Sequence, residues 1–198
     1  MPFSRHLMIS MENKMFDVLI SEALSLGAYR AKIITTKEIS LDIAFREICE
    51  SNACGMYGKC WMCPPDVGDI VVLMNEVGKY DYALIYQTVT DLEDSYDFEG
   101  MIAAKKHFHK LEQGLREFFD KFKLLKTLHL GVGGCGLCES CAKRMNKPCR
   151  FSEKAISSLE AYGINVAKLA VSSGMKYVNG QNTVTYFGAV LFSLQGED

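Results

Sequence analysis

The chain has 198 residues, of which 48% are apolar and 23% charged, and its formal net charge at pH 7 is -2. These values are typical of one globular domain, here residues 1–198, and they exclude a disordered or low-complexity chain. A net charge near zero, without a lysine-rich tail, also argues against binding to nucleic acid.

Helical and strand patterns alternate along the first half of the chain. Residues 1–10 are less regular than the segment after them, and we interpret them as a disordered leader or an upstream misassigned start. The apolar spacing then predicts, in order, a helix over about residues 12–26, a strand over 31–36, a helix over 70–77 and a strand over 82–89. Gly27 stands where a helix C-cap would, and Asp66 or Asp69 can cap the second helix.

The second half continues this alternation. Its clearest element is an apolar stripe that steps by three and four from Met101 to Phe122 and predicts a long helix. The other predicted elements are a strand over 125–132, a helix from Ser152 to Gly163, a helix from Asn165 to Gly174, and a turn at Asn179-Gly180 that closes a hairpin or precedes a buried strand. The order predicts an α/β fold, a single layered domain with a small mixed sheet of about four strands flanked by helices.

The most informative residues are eight cysteines, which form two groups of four on predicted connecting loops. The first group is Cys49, Cys54, Cys60 and Cys63, and the second is Cys135, Cys138, Cys141 and Cys149. Cysteines used as small core residues would scatter along the chain, because burial imposes no spacing. The grouping therefore predicts two metal sites with four thiolate ligands each.

Disulfides are the first alternative, and the expected compartment argues against them. The N-terminal residues show no secretory signal pattern, so we expect the protein in the reducing cytosol, with a cytoplasmic location. No stretch approaches the ~18 apolar residues of a membrane span, so no membrane association is predicted.

The second group carries the sharper chemical signal. Cys135-x2-Cys138-x2-Cys141 is the tight triple spacing of ferredoxin loops that hold a [4Fe-4S] cluster. Zinc sites use pairs of cysteines with a longer gap between the pairs, so the triple favours iron and sulfide, with zinc as the alternative. Cys149 comes after a longer gap and follows Pro148, so it either closes this cluster or serves the other one.

The first group has looser spacing. Cys63 is followed by Pro64, like the last ligand of a ferredoxin run, because proline fixes the direction in which the chain leaves a cluster. The pair Cys60-x2-Cys63 is also the spacing of a redox dithiol, which the additional cysteines beside it disfavour. Tyr57 and Trp61 are predicted to pack over this cluster, or else to anchor an irregular loop.

Glycines surround the second group. Gly131-x-Gly133-x-x-Gly136 matches a dinucleotide fingerprint, but no amphipathic helix comes after it, so we reject a Rossmann site. Gly134 and Gly136 are instead predicted to let backbone N–H groups approach a cofactor, with a plain flexible turn as the alternative.

The remaining polar candidates carry weaker signals. His6, His107, His109 and His129 share no spacing with the cysteines and are interpreted as surface histidines. Lys143, Arg144, Lys147 and Arg150 form a basic cluster in the second loop. They offset the charge of an anionic cluster or dock an acidic redox partner protein, or they belong to a solvated loop.

Four longer segments carry a family resemblance. They are Cys54-Gly-Met-Tyr-Gly-Lys-Cys-Trp-Met-Cys63-Pro-Pro, Gly134-Cys-Gly-Leu-Cys-Glu-Ser-Cys141 with Lys147-Pro-Cys-Arg-Phe-Ser-Glu-Lys-Ala155, and Leu159-Glu-Ala-Tyr-Gly-Ile-Asn165. Over roughly residues 30–192 the chain resembles the predicted metal-binding proteins grouped as domain of unknown function 2284. The resemblance implies an iron-sulfur protein of anaerobic prokaryotes, and it supplies no established reaction.

The resemblance also separates the ligands of the first group. The family pattern has cysteines at the places of Cys49, Cys54 and Cys63, whereas the place of Cys60 is usually not cysteine. Cys60 is therefore the least secure ligand, and without it the first cluster has an open corner that can bind substrate. Three functions remain as hypotheses: an electron carrier with two [4Fe-4S] clusters, an enzyme that uses an open-corner cluster, and a zinc-stabilised interaction module. The sequence predicts no oligomeric state.

Overall fold

The computed structural model describes residues 5–122 and 125–194, so the start of the predicted leader lies outside it. The helices are α1 (Arg5–Ser25), α2 (Phe45–Glu50), α3 (Ile70–Val77), α4 (Phe98–Phe119) and α5 (Val166–Ser172). The strands are β1 (Arg30–Thr35), β2 (Tyr82–Asp91), β3 (Leu125–Gly131), β4 (Ser157–Ser158) and β5 (Thr183–Leu194).

All five strands belong to one mixed sheet, in the order β1-β2-β5-β3-β4. Strand β2 pairs antiparallel with β1 and β5, and β3 pairs antiparallel with β5. The short strand β4, in contrast, runs parallel to its neighbour, β3. The mixed α/β architecture that the sequence predicts is confirmed, with five strands in place of about four.

The sheet is covered on both faces, so the first half of the central strand β2 is apolar on both sides. In β2, Leu84 and Tyr86 point to one core cluster, whereas Ala83 and Ile85 point to the other. Helices α1 and α4 pack on the first face, and α3 and α5 pack on the second. A strand buried on both faces has a continuous apolar run instead of alternation, which explains the run at 82–89.

Helix α4 is the element that brings the site and the core together. Its apolar stripe, with Phe108, Leu111 and Leu115, is buried against the sheet. Phe108 stacks on Tyr86 with ring centroids 5.6 Å apart. An edge of the same helix beside this stripe carries Lys105 and His109, which face the cysteine loops. Packing of the stripe therefore fixes where those polar residues stand.

One predicted helix is wrong. Between Ser152 and Gly163 the chain forms two short 3-10 turns, Ser152–Lys154 and Glu160–Tyr162, with β4 between them. The Ser157 hydroxyl donates a hydrogen bond to the Met62 carbonyl at 2.7 Å, and Ser157 itself pairs with Leu130. Serine side chains that bond to backbone groups compete with helix formation, and here the sheet edge supplies the competing partner.

The other predicted elements are confirmed, with shifted ends. Helix α1 begins at Arg5 instead of about residue 12, and helix α2 has no counterpart among the predictions. Asn165 caps α5 through a hydrogen bond from the Lys168 N–H, and the helix stops before Gly174, whose φ is +67°. The turn at Asn179-Gly180 precedes a buried strand, β5, and does not close a hairpin.

Helix α3 supplies a first testable prediction. Of the two predicted caps it is Asp69 that accepts hydrogen bonds from Val71 N and Val72 N. Replacing Asp69 by alanine leaves both donors unpaired and is expected to lower the free energy of unfolding by about 1 kcal/mol. Asp69→Asn keeps an acceptor and is the control. Urea unfolding measures both, and an equal loss in the two variants would contradict the capping role.

Candidate metal centre

The two cysteine loops lie against each other. The first runs from the end of α2 to α3, so Cys49 lies on the last turn of α2 and not on a connecting loop as predicted. The second runs between β3 and β4. Trp61 Nε1 in the first loop donates a hydrogen bond to the Lys147 carbonyl oxygen in the second, at 2.9 Å. Lys143 forms an ion pair with Asp66 and lies 4.3 Å above the Trp61 ring. The residues that join the loops therefore include Trp61, which the sequence proposed as a packing residue.

A pocket of about 430 Å³ lies between the second loop, part of the first loop and helix α4. This volume is in the range of about 300–1,000 Å³ that is usual for small-molecule sites. The cysteines on its lining are Cys60, Cys135, Cys138, Cys141 and Cys149. Five thiols thus share one cavity, and they come from both sequence groups.

Cys60 is the residue that changes group. In the sequence it stands with Cys49, Cys54 and Cys63, but its side chain, only 2% exposed, lines the pocket of the second group. The other three cysteines of the first group do not line this pocket. Grouped by whether they line this pocket, the thiols divide into three and five, and Cys60 also contacts Cys63. Spacing along the chain divides them into four and four.

Hydrogen bonds explain the electrostatics of Cys60. A hydrogen bond from the Cys63 thiol is the main cause that lowers the pKa of Cys60, to about 5. The backbone N–H of Cys135 and the Cys141 thiol also donate to it, and burial opposes them. Sulfur at this position is accordingly stabilised as a thiolate, the form that binds metal.

The remaining three thiols influence one another. The hydrogen bond to Cys60 is the main cause that raises the pKa of Cys63, followed by burial, and the charges of Cys54 and Cys49 raise it further. Burial is the main cause that raises the pKa of Cys49. Cys63 thus lies within electrostatic range of both Cys49 and Cys54, and it also contacts Cys60 at the edge of the five-thiol pocket.

The donor chemistry fits a soft metal group. Thiolates select iron-sulfur clusters, zinc and Cu(I) over hard cations such as magnesium. In the part of the chain that the structure describes, no three histidine, cysteine or carboxylate side chains stand close enough together to hold one metal ion. These side chains therefore line a shared cavity, but they do not converge on the position of a single ion.

The predicted cofactor-binding residues divide between the pocket and its surroundings. Gly134 and Gly136 line the pocket, and so does Trp61, while Tyr57 is not among the lining residues. The glycines leave room for side chains that approach from other elements. A Cβ on Gly134 would lie 2.8 Å from the Met56 methyl, and one on Gly136 would lie 2.6 Å from His109 Nε2. Glycine is required at Gly136, where φ is positive and the His109 ring is close, whereas at Gly134 the flexible Met56 side chain can move.

The sequence predicted that the histidines lie on the surface, and this is right for one of them and wrong for two. His107 is exposed, as predicted, whereas His129 is buried in the core with its pKa lowered to about 3, mainly by burial. His109 lines the pocket. The side chain of His6 lies outside the described part of the chain.

His109 and Glu112 form a pair that sequence reasoning missed. His109 Nδ1 lies 2.5 Å from a carboxylate oxygen of Glu112, and Glu112 is 1% exposed. Burial raises the pKa of the Glu112 carboxyl, and the hydrogen bond to His109 opposes that shift. The available signal was a glutamate beside the apolar stripe, three residues after a histidine and hence on the same side of the helix.

The basic cluster of the second loop is divided by the fold. Lys143 is engaged with Asp66 and Trp61, and Arg150 donates a hydrogen bond to the Ser140 carbonyl at 3.1 Å. Arg144 lines the pocket, whereas Lys147 is exposed and does not. Only part of the cluster is therefore a solvated loop.

Fold and site together define a cysteine-rich α/β protein with a thiol-lined pocket. Residues 32–192 match the family domain of unknown function 2284, described as a predicted metal-binding protein, and the chain belongs to this family. Comparison with curated proteins and with solved structures gives no match. No helix in the described ranges is long and apolar enough to cross a membrane.

Proposed function

We propose that this member of a metal-binding family is an iron-sulfur protein that holds two [4Fe-4S] clusters and transfers electrons. The observation that carries the proposal is the pocket lined by five thiols, among them the tight triple Cys135, Cys138 and Cys141. A cubane needs four ligands, and the triple spacing is the one that wraps three of its corners. The group would supply one-electron transfer, which requires no catalytic side chain from the protein.

Ligands for the pocket cluster would come from its five thiols. The triple provides three of them, and Cys149 or Cys60 provides the fourth. Cys60 receives hydrogen bonds from Cys63 and from the Cys135 N–H. Donors of this kind stabilise negative charge on sulfur, so Cys60 suits either a ligand or a thiolate held beside the cluster.

The second cluster would be held by Cys49, Cys54 and Cys63. The same three cysteines match the family pattern that the sequence resembles. Three thiolates leave one corner of a cubane without a cysteine ligand. Cys54 is exposed, so this site is close to solvent and suited to exchange electrons with a partner protein. The exposed Lys147 and Arg144 at the second loop suit an acidic surface on such a partner.

An enzyme is the second candidate, and the size of the pocket favours it. The cavity of about 430 Å³ is in the size range of small-molecule sites, and a cluster held by its thiols would take up part of that volume. A substrate-induced change in the visible or electron paramagnetic resonance spectrum of the clusters would favour the enzyme. A zinc-stabilised module is the third hypothesis, and metal analysis separates it from both. In each case the proposal places the protein in the reducing cytosol, where thiols stay free.

Metal content tests the proposal. Protein purified without oxygen is expected to be brown and to contain about eight iron and about eight sulfide per chain, as two cubanes require. Iron, acid-labile sulfide and zinc are measured on the same sample. Stoichiometric zinc without sulfide would contradict the iron-sulfur proposal and support the structural zinc module. About four iron per chain would limit the protein to one cluster.

A further inference from the structure

One wall of the five-thiol pocket belongs to helix α4 and carries cationic side chains in place of thiols. Lys105, Lys106 and His109 lie on this wall, and Arg144 of the second loop lines the same cavity. Within the described residues, neither lysine nor Arg144 pairs with a carboxylate. Among the described residues that line the cavity, the single carboxylate is that of the exposed Glu139. Cations therefore outnumber carboxylates around the cavity.

His109 Nε2 is a buried polar atom without a hydrogen-bond partner in the described structure. Its other ring nitrogen is held by Glu112 at 2.5 Å, so the ring cannot turn away without breaking that bond. Gly136 packs against this edge of the ring, where a Cβ would lie only 2.6 Å from Nε2, and both residues line the pocket. Buried polar groups in native proteins almost always have a partner, so Nε2 is available to a water or to a ligand that enters the pocket.

The cationic side chains surround the same opening. Lys105 Nζ would lie 2.8 Å from a Cβ on Gly133, so its ammonium group reaches the glycine turn that carries Cys135. Arg144 reaches Met56 Sδ, at 4.0 Å, from the side of the second loop. An ammonium, a guanidinium and an imidazole are the side chains that most often bind carboxylates and phosphates.

We propose that this wall, formed by Lys105, His109 and Arg144, binds a small molecule through an oxyanion group, either a carboxylate or a phosphate. Glu112 holds Nδ1 of His109, so the ring presents Nε2 to the ligand, while Lys105 and Arg144 supply positive charge. The inference adds a ligand class to the pocket, and it rests on the proposed function only for the metal centre that lies beside the ligand.

The same cations have a competing use, because a cluster with four thiolate ligands is itself an anion. Neutralising a cluster requires positive charge near it but no saturable binding of a second anion. Anion binding to the purified protein therefore separates the two uses. The variants that alter the wall separate them further, because one use predicts changes in anion affinity and the other predicts changes in cluster properties.

The experiment titrates the anaerobically purified protein with inorganic phosphate and, in a second arm, with acetate, each against chloride at constant ionic strength. Line broadening of the 31P and 13C resonances reports binding. We expect at least one of the two anions to saturate, and the one that binds identifies the oxyanion. His109→Gln, Lys105→Gln and Arg144→Gln should each weaken that binding by about tenfold. His107→Gln and Lys110→Gln, on the same helix but not on the pocket lining, are the controls and should bind as the unmodified protein does.

Iron and sulfide are measured on every sample, which distinguishes the two proposals. Anion binding without iron would contradict the proposed function and leave this inference standing. Iron without saturable binding of either anion would overturn the inference, as would equal weakening in the wall variants and the controls. Lys105 and Arg144 are at least partly exposed, so their variants report on binding even if His109→Gln does not fold.

Discussion

Replacing Cys138 and Cys141 together by serine is expected to remove about half of the bound iron, about four of about eight atoms per chain. The pocket then keeps only Cys60, Cys135 and Cys149, fewer than the four ligands that a cubane requires. The matched variant, Cys49→Ser with Cys54→Ser, should remove the other half, because only Cys63 remains of that group. Iron analysis and electron paramagnetic resonance of the reduced protein measure both.

The two variants also decide where Cys60 belongs. Because Cys60 lines the pocket, Cys60→Ser should alter the cluster that remains in the Cys49/Cys54 variant and leave unchanged the one that remains in the Cys138/Cys141 variant. Grouping by sequence predicts the reverse result. If Cys60→Ser disturbs only the cluster that remains in the Cys138/Cys141 variant, Cys60 is the fourth ligand of the first group and the three-and-five arrangement is wrong.

Removing the metal is expected to leave most helical structure in place and to expose the two loops to protease. Helices α1 and α4 are held by their own apolar residues, such as Leu19, Phe108 and Leu115. The loops, residues 49–66 and 134–150, contain few buried apolar side chains, so metal ligation is the main compensation for the entropy of ordering them. Far-ultraviolet circular dichroism should therefore change little.

Limited digestion with trypsin of the metal-loaded and metal-free proteins makes this expectation measurable. Cleavage after the exposed Lys59 and Arg144 should accelerate by about tenfold or more on metal removal, because cleavage depends on the population of the locally opened loop. Lys106 and Lys110 are exposed side chains within α4 and serve as internal controls. Identical cleavage patterns with and without metal would mean that contacts such as the Trp61 hydrogen bond to Lys147 order the loops by themselves.

Local sequence patterns predicted most of the secondary structure. The stripe that contains Phe108 and Leu111 predicted the long helix because helical periodicity depends only on neighbours three and four residues away. The strand patterns at 82–89 and 125–132 predicted β2 and β3, because strand patterns also depend only on residues that are close in the chain. The same reasoning failed between Ser152 and Gly163, because Ser157 finds its partners in Met62 and Leu130, which are distant in the chain.

The cysteines show where sequence reasoning about the site reaches its limit. Spacing identified all eight thiols and suggested a soft metal, since ligand chemistry is a property of residue type and count. Spacing could not assign Cys60 to a group. The two loops approach each other in the fold, which brings Cys60 close to Cys135 although the two are far apart in the chain. Proximity along the chain and proximity in space differ wherever two loops meet.

The sequence by itself determined the α/β class, the long helix α4 and the two cysteine-bearing loops, because each depends on residue types and short-range spacing. Only the tertiary structure decided that five thiols share a pocket, that Glu112 holds His109 toward it, and that Gly131 has room for the Glu112 carboxylate and no side chain of its own. These contacts are made between residues of α4, β3 and the two cysteine loops, which all pack around one sheet. Their distances depend on how the whole core packs, and no short stretch of sequence contains that information.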